Sequence, residues 1–146
     1  MVHDLWEDQQ TWLDQWWGAC HGGLKAPCGS GKTVVGLAML ARLQQNSLIL
    51  TNTKLLADQW EYMFREHTDI SSSDISIVKS GKKALKPITV GVWQSFLNKA
   101  GEPNETLLQA RKRFGVTLID ESHRAASPCF RRVASSLHSR WRMHIT

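Results

Sequence analysis

The residues with the clearest chemical purpose form one short stretch, Ala26-Pro27-Cys28-Gly29-Ser30-Gly31-Lys32-Thr33. Gly29 and Gly31 let the backbone turn with positive φ, so that the N–H groups of Gly29, Ser30 and Gly31 can approach an anion. Lys32 follows where a strand-to-helix turn aims its ammonium at the same anion. Thr33 then offers a hydroxyl suited to a magnesium ion. The run from Val34 to Leu43 is apolar and helix-compatible, which adds the partial positive charge of a helix N-terminus. The stretch fits G-x-x-x-x-G-K-[ST] except that Ala26 replaces the first glycine. On its own it is a phosphate-binding loop, against the plainer reading of a Gly-rich turn with Lys32 in solvent.

A second chemical group is Asp120-Glu121, which ends the apolar run Val116-Thr117-Leu118-Ile119. Magnesium prefers one or two carboxylates together with phosphate oxygens and keeps several waters. Asp120 is suited to hold Mg²⁺, directly or through water, and Glu121 to orient or deprotonate an attacking water. The plainer reading is a pair of solvated strand-end acids, and a phosphate loop on an earlier strand argues against it. A nucleoside kinase would share the loop but has no need of an apolar run ending in Asp-Glu. The pair therefore points to hydrolysis, with Lys32, Asp120 and Glu121 as the catalytic set.

The elements that must position these groups are legible as alternating helices and strands. Leu5 to Trp17 reads as an amphipathic helix with Leu5, Trp12, Leu13, Trp16 and Trp17 on its buried side, closed by Gly18. Residues 19–26 form a short strand diluted by Gly22-Gly23. A helix over 32–45 closes at Asn46. The run 47–51 is a strand, and Thr53 caps a helix through about His67 with Leu55, Leu56, Gln59, Trp60, Met63 and Phe64 near one stripe. After a polar loop at 68–74 come a strand at 75–78, a turn at 80–83 and a strand at 88–92. A short helix over 93–99 follows, then a helix from the Asn104 cap through Phe114. The strand at 116–119, a helix over 128–138 and a strand over 141–146 complete the chain. Apolar runs, rather than alternating ones, predict an α/β fold: a parallel sheet with helices on both faces. Ligands in such sheets bind beyond the carboxyl ends of the strands, where the loop and Asp120-Glu121 both fall.

Composition sets the outer bounds. The 146 residues, 42% hydrophobic and 21% charged, suit one domain with a real core. No run approaches the ~20 apolar residues of a membrane span, and the acidic, Trp-rich start is not a secretory or transit signal. Cys20, Cys28 and Cys129 read as free thiols of a reducing cytoplasm, and Cys20-His21 has no second pair with which to hold a metal. The net charge of +5 is uneven: residues 1–74 hold five Lys/Arg against nine Asp/Glu, and residues 75–146 thirteen against four. That asymmetry suits a polyanionic partner, a solvated basic face or an acidic neighbouring domain. The seven tryptophans are read as core packing or a buried domain contact rather than base-stacking platforms.

Taken together, the motifs resemble those of the superfamily-two helicases. Ala26 to Thr33 is similar to their motif I, in which Ala or Gly stands first. Asp120-Glu121-Ser122-His123 matches the D-E-x-H form of motif II, and Leu118 to Arg132 resembles that region in restriction-subunit and DNA-repair helicases. Leu48 to Trp60 resembles motif Ia and its helix, with Asn52 where the family usually carries Pro. Val90 to Phe96 resembles the strand and turn that touch the nucleic-acid backbone, with Val92 at the usual Thr. Arg142 to Thr146 resembles the start of motif III. Leu5-Trp6-Glu7-Asp8-Gln9 falls where the family carries its adenine-reading L-R-P-x-Q, so Gln9 is the candidate adenine contact. Gln10, or a plain helix-surface amide, is the alternative.

The resemblance implies a RecA-like P-loop NTPase domain over 1–146, binding ATP and Mg²⁺. It places Thr53, Lys54, Gln94 and Ser95 on the nucleic-acid backbone, DNA in preference to RNA. It gives His123 the coupling of nucleotide and nucleic-acid sites; a hydrogen bond to a neighbouring strand is the plainer role. Arg111-Lys112-Arg113 and Arg131-Arg132 fall outside the motifs and read as solvated. The family's motor has two such domains, with arginines from the second completing the cleft. The expectation is a first motor domain without its second, binding Mg-ATP weakly and hydrolysing it poorly until a partner domain is supplied in cis or in trans. An incomplete or degenerate binding module without useful turnover is the competing class.

Overall fold

A computed structural model of the chain describes residues 4–80, 83–124 and 127–146. Gly81 and Lys82, in the expected turn at 80–83, lie outside the described residues. The elements are α1 (Glu7–Ala19), β1 (His21–Leu24), α2 (Lys32–Leu43), β2 (Ser47–Thr51), α3 (Lys54–His67), β3 (Ile75–Val78), β4 (Ile88–Val92), α4 (Glu105–Ala110), β5 (Val116–Ile119), α5 (Pro128–Ser136) and β6 (Trp141–Ile145). Single 3₁₀ turns lie at Ser72–Asp74, Trp93–Phe96 and Ser122–Arg124. The strands form one sheet in the order β1-β6-β5-β2-β4-β3, and every pairing is parallel. The α/β reading is thus met, with helices on both faces.

Why both faces are covered follows from the side chains of the central strands. β2, β4 and β5 are buried at every position. Ile49, Val116 and Leu118 pack with Leu13, Leu37 and Phe64 under α1, α2 and α3. Leu48, Leu50 and Ile119 pack with Leu107, Phe130 and Val133 of α4 and α5 on the other face. Each such aliphatic side chain contributes about 1.5–3 kcal/mol on burial. Gly36 lets α2 sit low on its face: a Cβ there would lie 2.8 Å from Leu118 Cδ1 and 3.0 Å from the Trp60 ring.

The tryptophans are mostly packing groups, as expected. Trp17 stacks on Trp141 at 5.5 Å, Trp16 abuts both, and the Trp16 Nε1–H donates to the Arg142 carbonyl at 3.1 Å. Trp6 differs, being 69% exposed. No described helix is long and apolar enough to cross a membrane.

Several element ends differ from the sequence reading. The expected helix over 93–99 is only a 3₁₀ turn, because the Asn104 amide draws the carbonyls of Ser95 and Leu97 onto itself. Asn104 does cap α4, accepting from Leu107 N at 3.1 Å, but α4 stops at Ala110 and not Phe114. The Arg111 carbonyl is taken by the His138 N–H. α2 ends on Gln44 in a left-handed cap (φ 47°), whose N–H closes the last turn on the Leu40 carbonyl, and the Asn46 carbonyl serves Gly115 and Val116. α5 stops at Ser136, two residues short of the expected end. Thr53 caps α3 as expected, accepting from Leu56 N at 3.2 Å, while Leu55 faces solvent.

Candidate nucleotide site and its neighbours

The strand order brings the carboxyl ends of β1, β6, β5, β2 and β4 to one edge of the sheet, and the chemical residues lie there. The phosphate loop leaves β1, whose only partner among the described residues is β6. Ala26 N donates to the Thr146 carbonyl and Thr146 N to Leu24, so the loop is moored to the end of β6. Gly29 and Gly31 take φ of 79° and 78°, the left-handed region that glycine adopts freely. Lys32 opens α2, and its Nζ donates to the carbonyls of Ala26 at 2.6 Å and Pro27 at 2.8 Å. The ammonium is thereby folded over the loop, with one of its three donors left over.

Asp120 and Glu121 lie across from the loop. A cavity of about 640 Å³ is lined by Gly29, Gly31, Lys32, Thr33, Asp120 and Glu121, and its far wall is α3. Asp120 Oδ2 accepts from the Trp60 Nε1–H at 2.7 Å, and Oδ1 accepts from Glu121 N at 2.9 Å. Burial pushes the Asp120 carboxyl above its ordinary range. The Trp60 and Glu121 donors and the Lys32 ammonium pull it back, and the neighbouring Glu121 charge adds to the rise. Glu121 has φ of 54°, a left-handed conformation that is strained for a side chain of its size. Its Oε2 lies 3.2 Å from His123 Nε2, and His123 Nδ1 shares a 2.7 Å hydrogen bond with Thr146 Oγ1. His123 therefore ties Glu121 to the residue after β6, the contact to a neighbouring strand that the plainer reading named.

Gln9 is buried at 3% exposure, with both ends of its amide used by protein groups. Its Oε1 accepts from Trp6 N at 3.1 Å, and its Nε2 donates to the Ser30 carbonyl at 3.2 Å. It sits directly behind the loop, where a Cβ on Gly31 would collide with it. Gln10 instead bonds Asp14 and Arg42 on the helix surface.

The four residues assigned to the nucleic-acid backbone also lie at this edge. Thr53 and Lys54 follow β2, and Gln94 and Ser95 follow β4, its neighbour. Thr53, Lys54 and Gln94 are exposed, and Ser95 is half-buried. Val92, standing at the usual Thr, is buried in the core and offers no surface contact.

Two residues here were not singled out for the site. Trp60 belongs to the buried stripe of α3, and nothing in the spacing says that its indole reaches Asp120. Asn52 stands out in the sequence only as the residue at the usual Pro. Its Nδ2 donates to the Glu121 carbonyl at 3.1 Å and its Oδ1 accepts from Trp93 Nε1 at 3.1 Å.

A loop turned by two left-handed glycines, a lysine and a threonine at a helix start, and a desolvated carboxylate facing them make a fitting receptacle for a magnesium–nucleoside triphosphate. Residues 3–146 match the family described as "Type III restriction enzyme, res subunit". Among curated proteins, a DNA 3'-5' helicase XPB of Kineococcus radiotolerans is 31% identical over 140 residues, covering 94% of this chain and 25% of that protein. A putative DNA 3'-5' helicase Rad25 of Halobacterium salinarum is 31% identical over 143 residues, covering 98% and 23%. The chain thus spans about a quarter of these relatives. Among solved structures, the UvsW helicase of bacteriophage T4 superposes with a TM-score of 0.76 at 18% identity, over 98% of this chain and 52% of that one. A Sulfolobus solfataricus SWI2/SNF2 ATPase core in complex with dsDNA superposes at 0.75 and 13% identity, over 100% and 32%. The fold is RecA-like, and the chain belongs to the type III restriction enzyme res-subunit family, as an N-terminal RecA-like domain of superfamily-two helicase type.

Proposed function

We propose that the chain is the first motor domain of a DNA-dependent helicase or translocase, holding Mg-ATP on its loop and hydrolysing it when a second RecA-like domain closes the cleft. The observation that carries this reading is the single cavity lined by both Lys32-Thr33 and Asp120-Glu121. The names of the relatives, DNA helicases, favour DNA over RNA.

Bound Mg-ATP would supply the γ-phosphoryl group and a cation that neutralises charge on it. The backbone of Gly29, Ser30 and Gly31 would hold phosphate oxygens. Lys32 would leave the Ala26 and Pro27 carbonyls to neutralise charge there. Thr33 and Asp120 would hold the cation, and Glu121 would orient and deprotonate the attacking water. Gln9, fixed against Ser30, would set the loop, and would have to release the Trp6 N–H or the Ser30 carbonyl to meet adenine. Thr53, Lys54, Gln94 and Ser95 would position a DNA backbone without reading its sequence. His123 would pass changes at Glu121 to Thr146.

The test is ATP turnover with the second domain supplied, with and without single-stranded and duplex DNA. Turnover stimulated by DNA, lost in Lys32→Ala, and lost in Glu121→Gln with nucleotide binding kept, supports the reading. Absence of turnover with both domains present would refute it, leaving a binding module.

A further inference from the structure

Asn52 connects two parts of the molecule that the sheet holds apart. β2, which it follows, lies between β5, which carries Asp120-Glu121, and β4, which leads to Gln94. Its side chain is used at both ends. The Nδ2 donates to the Glu121 carbonyl at 3.1 Å, and the Oδ1 accepts from the Trp93 Nε1–H at 3.1 Å. Its own carbonyl accepts from Gln94 Nε2 at 3.4 Å. One amide thus joins the backbone of the residue that would activate water to the 3₁₀ turn that would meet DNA.

The amide is planar, so its oxygen cannot shift without moving its nitrogen. Trp93 is half-buried, with its ring edge-on to Phe130 at 5.9 Å and 86°, so the indole has a fixed pivot. Glu121 sits at φ 54°, in a conformation whose cost is of the same order as one hydrogen bond. The bond from Asn52 is therefore large enough to decide which backbone conformation Glu121 holds. Gln94 is exposed and spends its amide on Asn52, so a phosphate oxygen arriving at Gln94 competes for that same amide.

We propose that Asn52 is a positioning residue that couples nucleic acid at the Trp93–Phe96 turn to the setting of Glu121. The proposal rests on the nucleotide and DNA sites assigned above. DNA contact at Gln94 frees the Asn52 backbone carbonyl, contact at Trp93 re-sets the Asn52 side-chain amide, and that amide re-sets the Glu121 carbonyl. The link is independent of His123, which leaves Glu121 on its other side toward Thr146.

The experiment measures coupling with the second motor domain supplied: the factor by which an oligonucleotide changes the rate of ATP turnover, the step in which Glu121 acts. The wild type is expected to show a factor of about ten or more, roughly 1.4 kcal/mol of barrier. Asn52→Ala, which removes both arms, and Trp93→Phe, which removes one, are expected to bring the factor to about 1. Asn52→Asp keeps the acceptor for Trp93, loses the donor to Glu121, and is expected to behave as Asn52→Ala. In each variant the affinity for nucleotide alone stays within about threefold of wild type, because the loop and Asp120 are untouched. A coupling factor unchanged in Asn52→Ala and Trp93→Phe overturns the proposal. So does a loss of nucleotide affinity that parallels the loss of coupling, since that marks a merely structural role. A wild type that binds both ligands with a factor of 1 overturns the coupling alone. A wild type that binds neither overturns the functional reading and this proposal with it.

Discussion

Trp60→Phe separates packing from electrostatics at Asp120. The indole is 1% exposed and its Nε1–H donates 2.7 Å to Asp120 Oδ2. Phenylalanine keeps a ring against Phe64 but removes that donor. A hydrogen bond to a charged partner is worth about 1.5–3 kcal/mol, and the smaller ring adds roughly 1–2 kcal/mol for the space left behind. The expected loss at neutral pH is therefore about 2.5–5 kcal/mol. Only the hydrogen-bond part depends on pH. Burial raises the Asp120 carboxyl above its unfolded value, so the folded state holds that proton more tightly than the unfolded chain does. The stability this confers is present at low pH and lost as pH rises through the folded value. Trp60 counters the rise by stabilising the ionised form, so its removal hurts most where Asp120 is ionised. Urea unfolding of wild type and variant across acidic to neutral pH reads the difference at constant m-value. The variant should lose more stability at neutral pH than in acid, the gap shrinking as Asp120 protonates. A loss that is the same at every pH would refute the argument and reduce Trp60 to a packing residue.

Other substitutions report on the neighbouring pieces. A Cβ on Gly91, at the end of β4, would run into the Phe96 ring, which is fully buried. Gly91→Ala should cost about 1–3 kcal/mol by overpacking and, by displacing the turn that carries Gln94 and Ser95, weaken oligonucleotide binding. Thermal melting and a binding titration read the two effects. Thr53→Ala removes the cap of α3 and should cost about 1 kcal/mol; if Thr53 also meets the DNA backbone, it lowers DNA affinity without changing nucleotide affinity.

What the sequence made legible was local in origin. Gly29, Gly31, Lys32 and Thr33 announce their chemistry by type and spacing alone, and the apolar runs ending at Thr51, Val92 and Ile119 needed no tertiary knowledge to be read as buried strands. Thr53 and Asn104 were legible as caps because a cap acts within four residues. Two of the ends that differ have a partner outside the element. Asn104 shortens the expected 93–99 helix from outside it, and His138 takes the carbonyl that would have carried α4 further. Such partners also hid Trp60 and Asn52. A tryptophan on a buried stripe looks like core whether or not its N–H reaches a carboxylate sixty residues away. Asn52 after a strand looks like a turn residue until Glu121 and Trp93 are brought to its two sides.

The account stands most directly on magnesium-dependent nucleotide binding by the loop. Calorimetric titration of a non-hydrolysable ATP analogue should show one site that needs magnesium and is lost in Lys32→Ala while the fold is kept. Binding that persists after magnesium is chelated, or that is undiminished in Lys32→Ala, would contradict the assignment of Lys32, Thr33 and Asp120 to a single nucleotide site.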